Sequence, residues 1–462
     1  MAKVFVFCVG GTGIRVMKSI TMLAAAGMKT NGYQIVPIIV DPHVDLDEKT
    51  RVDNLIADYS RIYNCSTKNG DNTLEAMDGF FSTRFVTLDE LAGHAGKGTV
   101  PAVKKSFGDY LNVGHLNKGD INNYLIKTLF SEANLTNSLA VGFKGNPNVG
   151  TVVLNDMVSN ANWFESFLTH FAKGDKVFII SSIFGGTGAS GYPLLEKKVR
   201  DADNFPDVKN AVMGAVTVLP YYSLTDPKTS GSDIDSANFY TKTKSALSYY
   251  AHSVKSDYLY YVGVQTLSAS YSNNEREQKD SAHFIELVAA TALFDFLGRE
   301  KPDSMQAMTR AIRKNSDSLD LESLGKSYSE TVKRIADMML LNLLVSDLPK
   351  EKQFPLRINW KMDDDFYNDE SFRSLASFTE GFDMWYKELA TNKKSFSPLN
   401  LVGADGNLSN WVKGKTMKGK DLSYYLLEII KSSNKKKQTH ENKFRYFVEF
   451  LHDAINVYTN ND

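Results

Sequence analysis

Two glycine-rich turns hold the residues best suited to chemistry. One is Gly10-Gly11-Thr12-Gly13, directly after the β-prone run Lys3–Val9. The other is Gly185-Gly186-Thr187-Gly188-Ala189-Ser190-Gly191, after an apolar run at 176–180. Glycine takes positive φ and leaves no side chain in the way, so such a turn lets backbone approach a ligand closely. Helix-compatible residues follow each turn, at 14–26 and 192–200. Amides that open a helix suit a phosphate, through exposed N–H groups and the helix dipole together. The dipole contributes only about 0.3–1 kcal/mol per charge at an exposed terminus and about 2 when partly buried, so a tight site needs several converging elements. Thr187 and Ser190 add hydroxyl donors. Taken alone, either turn also reads as a packing turn without a ligand; the presence of two favours the phosphate reading.

The elements that must position these turns read as an α/β fold. Lys3–Val9, Gln34–Val40, 176–180, 211–219 and 257–264 are continuous apolar runs, as expected of parallel strands buried on both faces. Gln34–Val40 ends at Asp41, an acid at the carboxyl edge of a strand, where ligands of parallel sheets bind. Residues 43–75 read as partly helical. Residues 76–138, broken by several glycines, read as an insertion of short helices. A helix is expected at 155–172. Polar loops follow at 223–236, with Asp226, Asp233 and Asp235, and at 268–280. A mostly apolar helix, 281–299, reads as buried, with His283 as a packed residue rather than a catalyst. Beyond residue 305 the pattern is largely helical (321–345, 371–390, 422–431, 444–458), with one strand at 354–360. Asp363-Asp364-Asp365 and Lys435-Lys436-Lys437 read as solvated turns.

The spacing of the first turn does not give G-x-G-x-x-G or G-x-x-x-x-G-K-[ST], so neither the dinucleotide fingerprint nor a Walker loop is met. The second turn matches instead the GGTG[SA]-G phosphate loop of the tubulin/FtsZ superfamily, with one residue inserted before the last glycine. Gly10–Gly13 resembles the first glycine loop of that family. Gly142-Phe143-Lys144-Gly145-Asn146-Pro147-Asn148-Val149-Gly150 resembles its third loop, G-x-G-A-N-P-x-V-G. The resemblance extends over about residues 1–300. It implies a Rossmann-like parallel-sheet GTPase domain at 1–280, a long central core helix with its following loop at 281–304, and a divergent, largely helical α+β C-terminal domain at 305–462.

The resemblance also implies ligands and roles. The ligand would be GTP or GDP with Mg²⁺. Gly10, Gly11, Thr12, Gly13, Gly145, Asn146, Gly185, Gly186, Thr187, Gly188, Ala189 and Ser190 would line the phosphates. Asp41 would contact Mg²⁺ through water, or simply cap its strand. Lys144 would add charge or remain solvated. Asn238 matches the position that reads the guanine edge, and also suits a helix N-cap; Asn273, Asn274 and Phe284 lie where the family contacts the base. After the core helix the family carries an N-x-D-x-x-[DE] loop that completes the active site of the next subunit. Here Gly298-Arg299-Glu300-Lys301-Pro302-Asp303 departs from it, leaving Glu300 and Asp303 as the catalytic candidates.

Three functions follow. The first is a GTPase that assembles head to tail into filaments. The second is a GTP-binding adaptor or switch subunit that does not polymerise, with protein partners at the C-terminal domain. The third, less favoured, is a dinucleotide-dependent oxidoreductase, for which Asp41 is in place but the glycine spacing fails. Composition agrees with a globular protein of two or three domains: 462 residues, 42% hydrophobic, 23% charged, net charge -1. That charge provides no global field for nucleic acid or an anionic membrane. Two cysteines exclude a disulfide framework in practice, and the lack of a signal pattern or a long apolar run points to the cytoplasm, without a membrane segment.

Overall fold

The computed structural model describes residues 1–43, 47–67, 77–93, 103–159, 161–224, 239–264, 269–271, 281–312, 328–350, 361–391 and 442–460. The chain opens with β1 (Lys3–Val9), α1 (Gly10–Ala25), β2 (Gln34–Val40) and α2 (Asp47–Thr67). Short helices follow: α3 (Leu88–Ala92), α4 (Phe107–Tyr110), α5 (Ile121–Leu129) and α6 (Glu132–Thr136). Then come α7 (Pro147–Ser159), α8 (Asn162–His170), β3 (Lys176–Ser182), α9 (Gly186–Arg200), α10 (Pro206–Lys209) and β4 (Val212–Val218). The middle of the chain supplies β5 (Tyr222–Leu224), α11 (Phe239–Ser253), β6 (Tyr258–Val264), β7 (Ala269–Tyr271), α12 (Phe284–Leu297) and β8 (Gln306–Ile312). Helices α13 (Tyr328–Asp347), α14 (Asp364–Asn368), α15 (Glu370–Thr391) and α16 (Lys443–Asn460) complete it.

Six strands form one all-parallel sheet in the order β2-β1-β3-β4-β6-β8. The chain leaves β1 toward β2 on one side, and β3 then returns to the other side of β1. The switch point therefore lies between β1 and β3. Both faces of the sheet are covered, as the apolar runs require. Phe5 and Phe7 stack on Trp163 and Phe167 of α8 on one face. Phe178 meets Phe296 of α12 on the other. Helix α1 packs on α12 and α2, and the C-terminal helices α15 and α16 pack on α2 in turn. Phe378 of α15, for example, meets Tyr59 of α2.

The structure moves several expected boundaries. Both glycine turns belong to their helices: α1 starts at Gly10 and α9 at Gly186, not at residues 14 and 192. The helix expected at 155–172 is two helices, and the first starts at Pro147, whose missing N–H costs nothing at a first helical position. The core helix is shorter than expected, Phe284–Leu297. Asp363 is no solvated turn but the cap of α14, accepting from the Phe366 amide at 3.3 Å. The first segment beyond residue 305 is strand β8, paired with β6. It is an edge strand: Gln306, Ala307 and Thr309 are exposed, so no apolar run marks it in the sequence. The strand at 354–360, the helix at 422–431 and Lys435–437 lie outside the described residues.

Gly214 of β4 lies under the aromatic layer. A Cβ there would fall 2.6 Å from the Phe296 ring and 2.8 Å from that of Phe178. Gly214→Val is expected to lower stability by about 1–3 kcal/mol through overpacking. Urea unfolding of the two proteins checks this.

Candidate functional site

The glycine turns meet at the switch point. Helix α1 opens on Gly10 with φ +73°, a conformation that L side chains rarely adopt. A Cβ on Gly10 would sit 3.2 Å from Cβ of Thr187 and 3.5 Å from the Gly188 amide. The openings of α1 and α9 are thus in contact. The 142–146 turn closes on them: a Cβ on Gly186 would lie 2.9 Å from Phe143, 3.0 Å from the Asn146 amide and 3.1 Å from the Gly145 amide. That turn holds three residues of positive φ, Gly142, Lys144 and Gly145. Lys242 of α11 ties it down by donating to the Gly145 carbonyl at 2.6 Å.

Three helix N-termini, those of α1, α7 and α9, therefore converge at the carboxyl edge of β1 and β3. Neither α1 nor α9 has a side-chain cap. A helix start leaves up to four amides without an intrahelical partner, and here glycine opens both α1 and α9. The arrangement concentrates partial positive charge and N–H donors in one place.

The candidate residues divide by what they touch. Gly10, Gly11 and Thr12 form the opening turn of α1. Gly185, Gly186, Thr187 and Ala189 form that of α9, with Gly145 and Asn146 beside them. Gly13 and Gly188 serve packing instead. A Cβ on Gly13 would lie 2.7 Å from the Cys8 carbonyl carbon, and one on Gly188 2.5 Å from the Ser182 carbonyl oxygen. The Ser190 hydroxyl is not a free donor as expected. It donates to the Gly186 carbonyl at 2.7 Å, one turn back, because a buried hydroxyl in a helix finds its nearest acceptor there. Asn238, Asn273 and Asn274, with Asp226, Asp233 and Asp235, lie outside the described residues. Neither the family models nor the curated proteins compared with this chain match it.

Asp41 lies buried at the same edge, at the end of β2, with Oδ1 accepting from the His43 amide at 2.9 Å. Burial pushes its carboxyl up, opposed by the His43 amide and by the nearby His43 and Lys49 charges. Among the described residues no group of three or more His, Cys, Asp or Glu converges as a protein-only metal site. Glu300 and Asp303 lie at the opposite edge. The Glu300 carbonyl accepts from the hydroxyl of Tyr258, the first residue of β6, at 2.6 Å. Seven-residue strands separate the two edges by about 20 Å, so neither acid reaches the glycine turns of its own chain.

A buried ionic network behind the site was not read from the sequence. Arg15 donates from Nε to Glu286 Oε1 at 2.6 Å and from Nη2 to the Ser281 carbonyl at 2.6 Å. Tyr221 donates to Glu286 Oε1 at 2.8 Å. His283 caps α12, its Nδ1 accepting from the Ile285 amide, while Glu286 accepts from the His283 amide. The network joins the second turn of α1 and the first turn of α12 to Tyr221, just beyond β4. A sequence signal existed: Glu286 is the only acid in the first three turns of an otherwise apolar helix.

Two predictions follow. Arg15→Met strands a buried carboxylate and is expected to cost about 3–5 kcal/mol, while Arg15→Met with Glu286→Leu recovers part of that; denaturant melts of the three proteins check it. Asp41 has a folded pKa raised above its unfolded value, so the stability it contributes is present in acid and lost as pH rises through the folded pKa. Asp41→Asn should therefore melt higher than the parent at neutral pH, with the gain disappearing below the unfolded carboxylate pKa of about 3.9.

Proposed function

We propose that this chain binds a guanine nucleotide, GTP or GDP, with its phosphates at the joined openings of α1, α7 and α9. The observation that supports this is the convergence of three helix starts at the switch point of a parallel sheet, those of α1 and α9 opening on glycine without a side-chain cap. Ligands of such sheets bind in that crevice. Preorganised amides there would hold the charge that develops on phosphate oxygens, which is the main task in phosphoryl transfer. Asp41 suits Mg²⁺, which takes one or two carboxylates and completes its shell with phosphate oxygens and water. Bound there, Mg²⁺ would neutralise charge on the phosphates. The guanine base rests on the resemblance to the tubulin/FtsZ superfamily, through Asn238 and Asn274.

With Asp41 assigned to Mg²⁺, hydrolysis would draw a further acid from a neighbouring copy. Glu300 and Asp303, about 20 Å away at the far edge, suit a head-to-tail contact in which one copy presents them to the glycine turns of the next. A second reading keeps the nucleotide and drops the assembly: a GTP-binding switch or adaptor subunit. The altered spacing at 298–303 favours it.

GTP turnover measured against protein concentration, with sedimentation of the same samples, separates these readings. Activity per molecule that rises with concentration, with pelleting in GTP, is expected for the shared site. Binding with slow, concentration-independent turnover selects the switch. Gly186→Val, which pushes a side chain into the 142–146 turn, should weaken nucleotide binding at least tenfold. Failure of the parent to bind any guanine nucleotide would overturn the proposal.

A further inference from the structure

The turn that leads into α7 is built against the preference of its own sequence. The Asn146 amide donates to the Phe143 carbonyl at 2.8 Å and closes a four-residue turn. Its two central residues, Lys144 and Gly145, both have positive φ, +43° and +72°. That is the type I′ pattern, which asparagine, aspartate and glycine favour. Gly145 suits it. Lys144 does not, because in the left-handed region a Cβ crowds the following carbonyl oxygen. A residue in such a conformation persists only where its surroundings over-determine it.

Helix α11 supplies a tether from outside the turn. Lys242 reaches across 97 positions of chain and donates from Nζ to the Gly145 carbonyl at 2.6 Å. A hydrogen bond from an ammonium is roughly twice as strong as one between neutral groups. Helix α11 is itself seated on the frame of the second glycine turn. Phe239, its first residue, meets Phe184 with ring centroids 4.9 Å apart, and Tyr250 meets Tyr192 of α9 at 5.2 Å. Tyr250 also donates to the Ala189 carbonyl at 3.4 Å. That carbonyl lacks its helical donor, because Pro193, four residues on, has no N–H. One helix thus holds the 143–146 turn with Lys242 and the opening of α9 with its aromatic residues.

We propose that Lys242 is a positioning residue of the phosphate site: its ammonium holds the strained 143–146 turn closed on the opening of α9. The inference rests on the nucleotide reading and adds to it a residue outside the glycine turns. Lys242 acts through the Gly145 carbonyl, not on the phosphates. The need for it comes from the lysine at position 144. This gives a signature that neither a direct phosphate contact nor a general packing role shares. Lys144→Asn puts asparagine before glycine, the pair a type I′ turn favours, and makes the tether dispensable.

Binding of GTP with Mg²⁺ to the full chain, and urea unfolding without nucleotide, test it. Lys242→Met is expected to weaken GTP binding at least about tenfold and to lower the urea midpoint. In the Lys144→Asn background the same substitution is expected to weaken binding by less than about threefold and to shift the midpoint less, because residues that share one turn are not additive. Equal binding by the parent and Lys242→Met, or equal losses in the two backgrounds, would overturn the inference and leave the nucleotide reading standing. A parent that binds no guanine nucleotide would overturn that reading, and this inference with it.

Discussion

A helix buried on every side must satisfy its own ends without water. Helix α12 is such a helix: of its residues only Asp295 is not buried. Its opening amides and closing carbonyls would otherwise be left in apolar surroundings. The chain resolves both ends with charge. At the start, His283 and Glu286 form a reciprocal cap, and Arg15 neutralises Glu286. At the end, Lys176 donates to the carbonyls of Leu297 and Arg299 at 3.1 and 2.7 Å, a cation at the negative end of the dipole. Burial lowers the Lys176 pKa, opposed by the nearby Glu300 charge.

These two solutions tie the helix to the parts of the sheet that matter. Arg15 stands one turn inside α1, behind the glycine opening. Lys176 is the first residue of β3, whose other end runs into the second glycine turn. The helix therefore spans from the edge with the glycine turns to the edge with Glu300 and Asp303. Its orientation fixes which acids lie where. The C-terminal helices join the same frame: Glu388 of α15 accepts from the Ala282 amide at 2.9 Å and pairs with Lys18 of α1 at 3.5 Å. The C-terminal helix α15 thus meets α1 and the start of α12 beside the Arg15–Glu286 pair. Among the described residues no helix is long and apolar enough to cross a membrane.

The glycine turns themselves illustrate how one residue type meets two demands. Gly10 and Gly186 keep backbone close to backbone where helix starts converge. Gly13 and Gly188 let the same helices press onto β1 and β3. A side chain at either kind of position would move the turns apart, for different reasons. The density of glycine there reflects the close approach of helix starts and the packing of helices on strands together, and sequence spacing does not divide one from the other.

The sequence by itself determined the parallel sheet, because strands buried on both faces must be apolar throughout, and β1, β2, β3, β4 and β6 are. It also determined the strand–glycine–helix units, because glycine is needed there, at Gly10 for its positive φ and at Gly13, Gly186 and Gly188 for lack of room for a side chain. It did not carry β8, whose edge position frees its side chains from apolar pattern, nor the packing of the C-terminal helices on α2. Tertiary structure alone decided which glycines face the crevice, that the Ser190 hydroxyl turns back on its own helix, and that Arg15 meets Glu286 across 271 positions of chain. Local pattern records burial and backbone freedom. Pairing between distant charges, and the direction a side chain takes once buried, are set only when the layers close on one another.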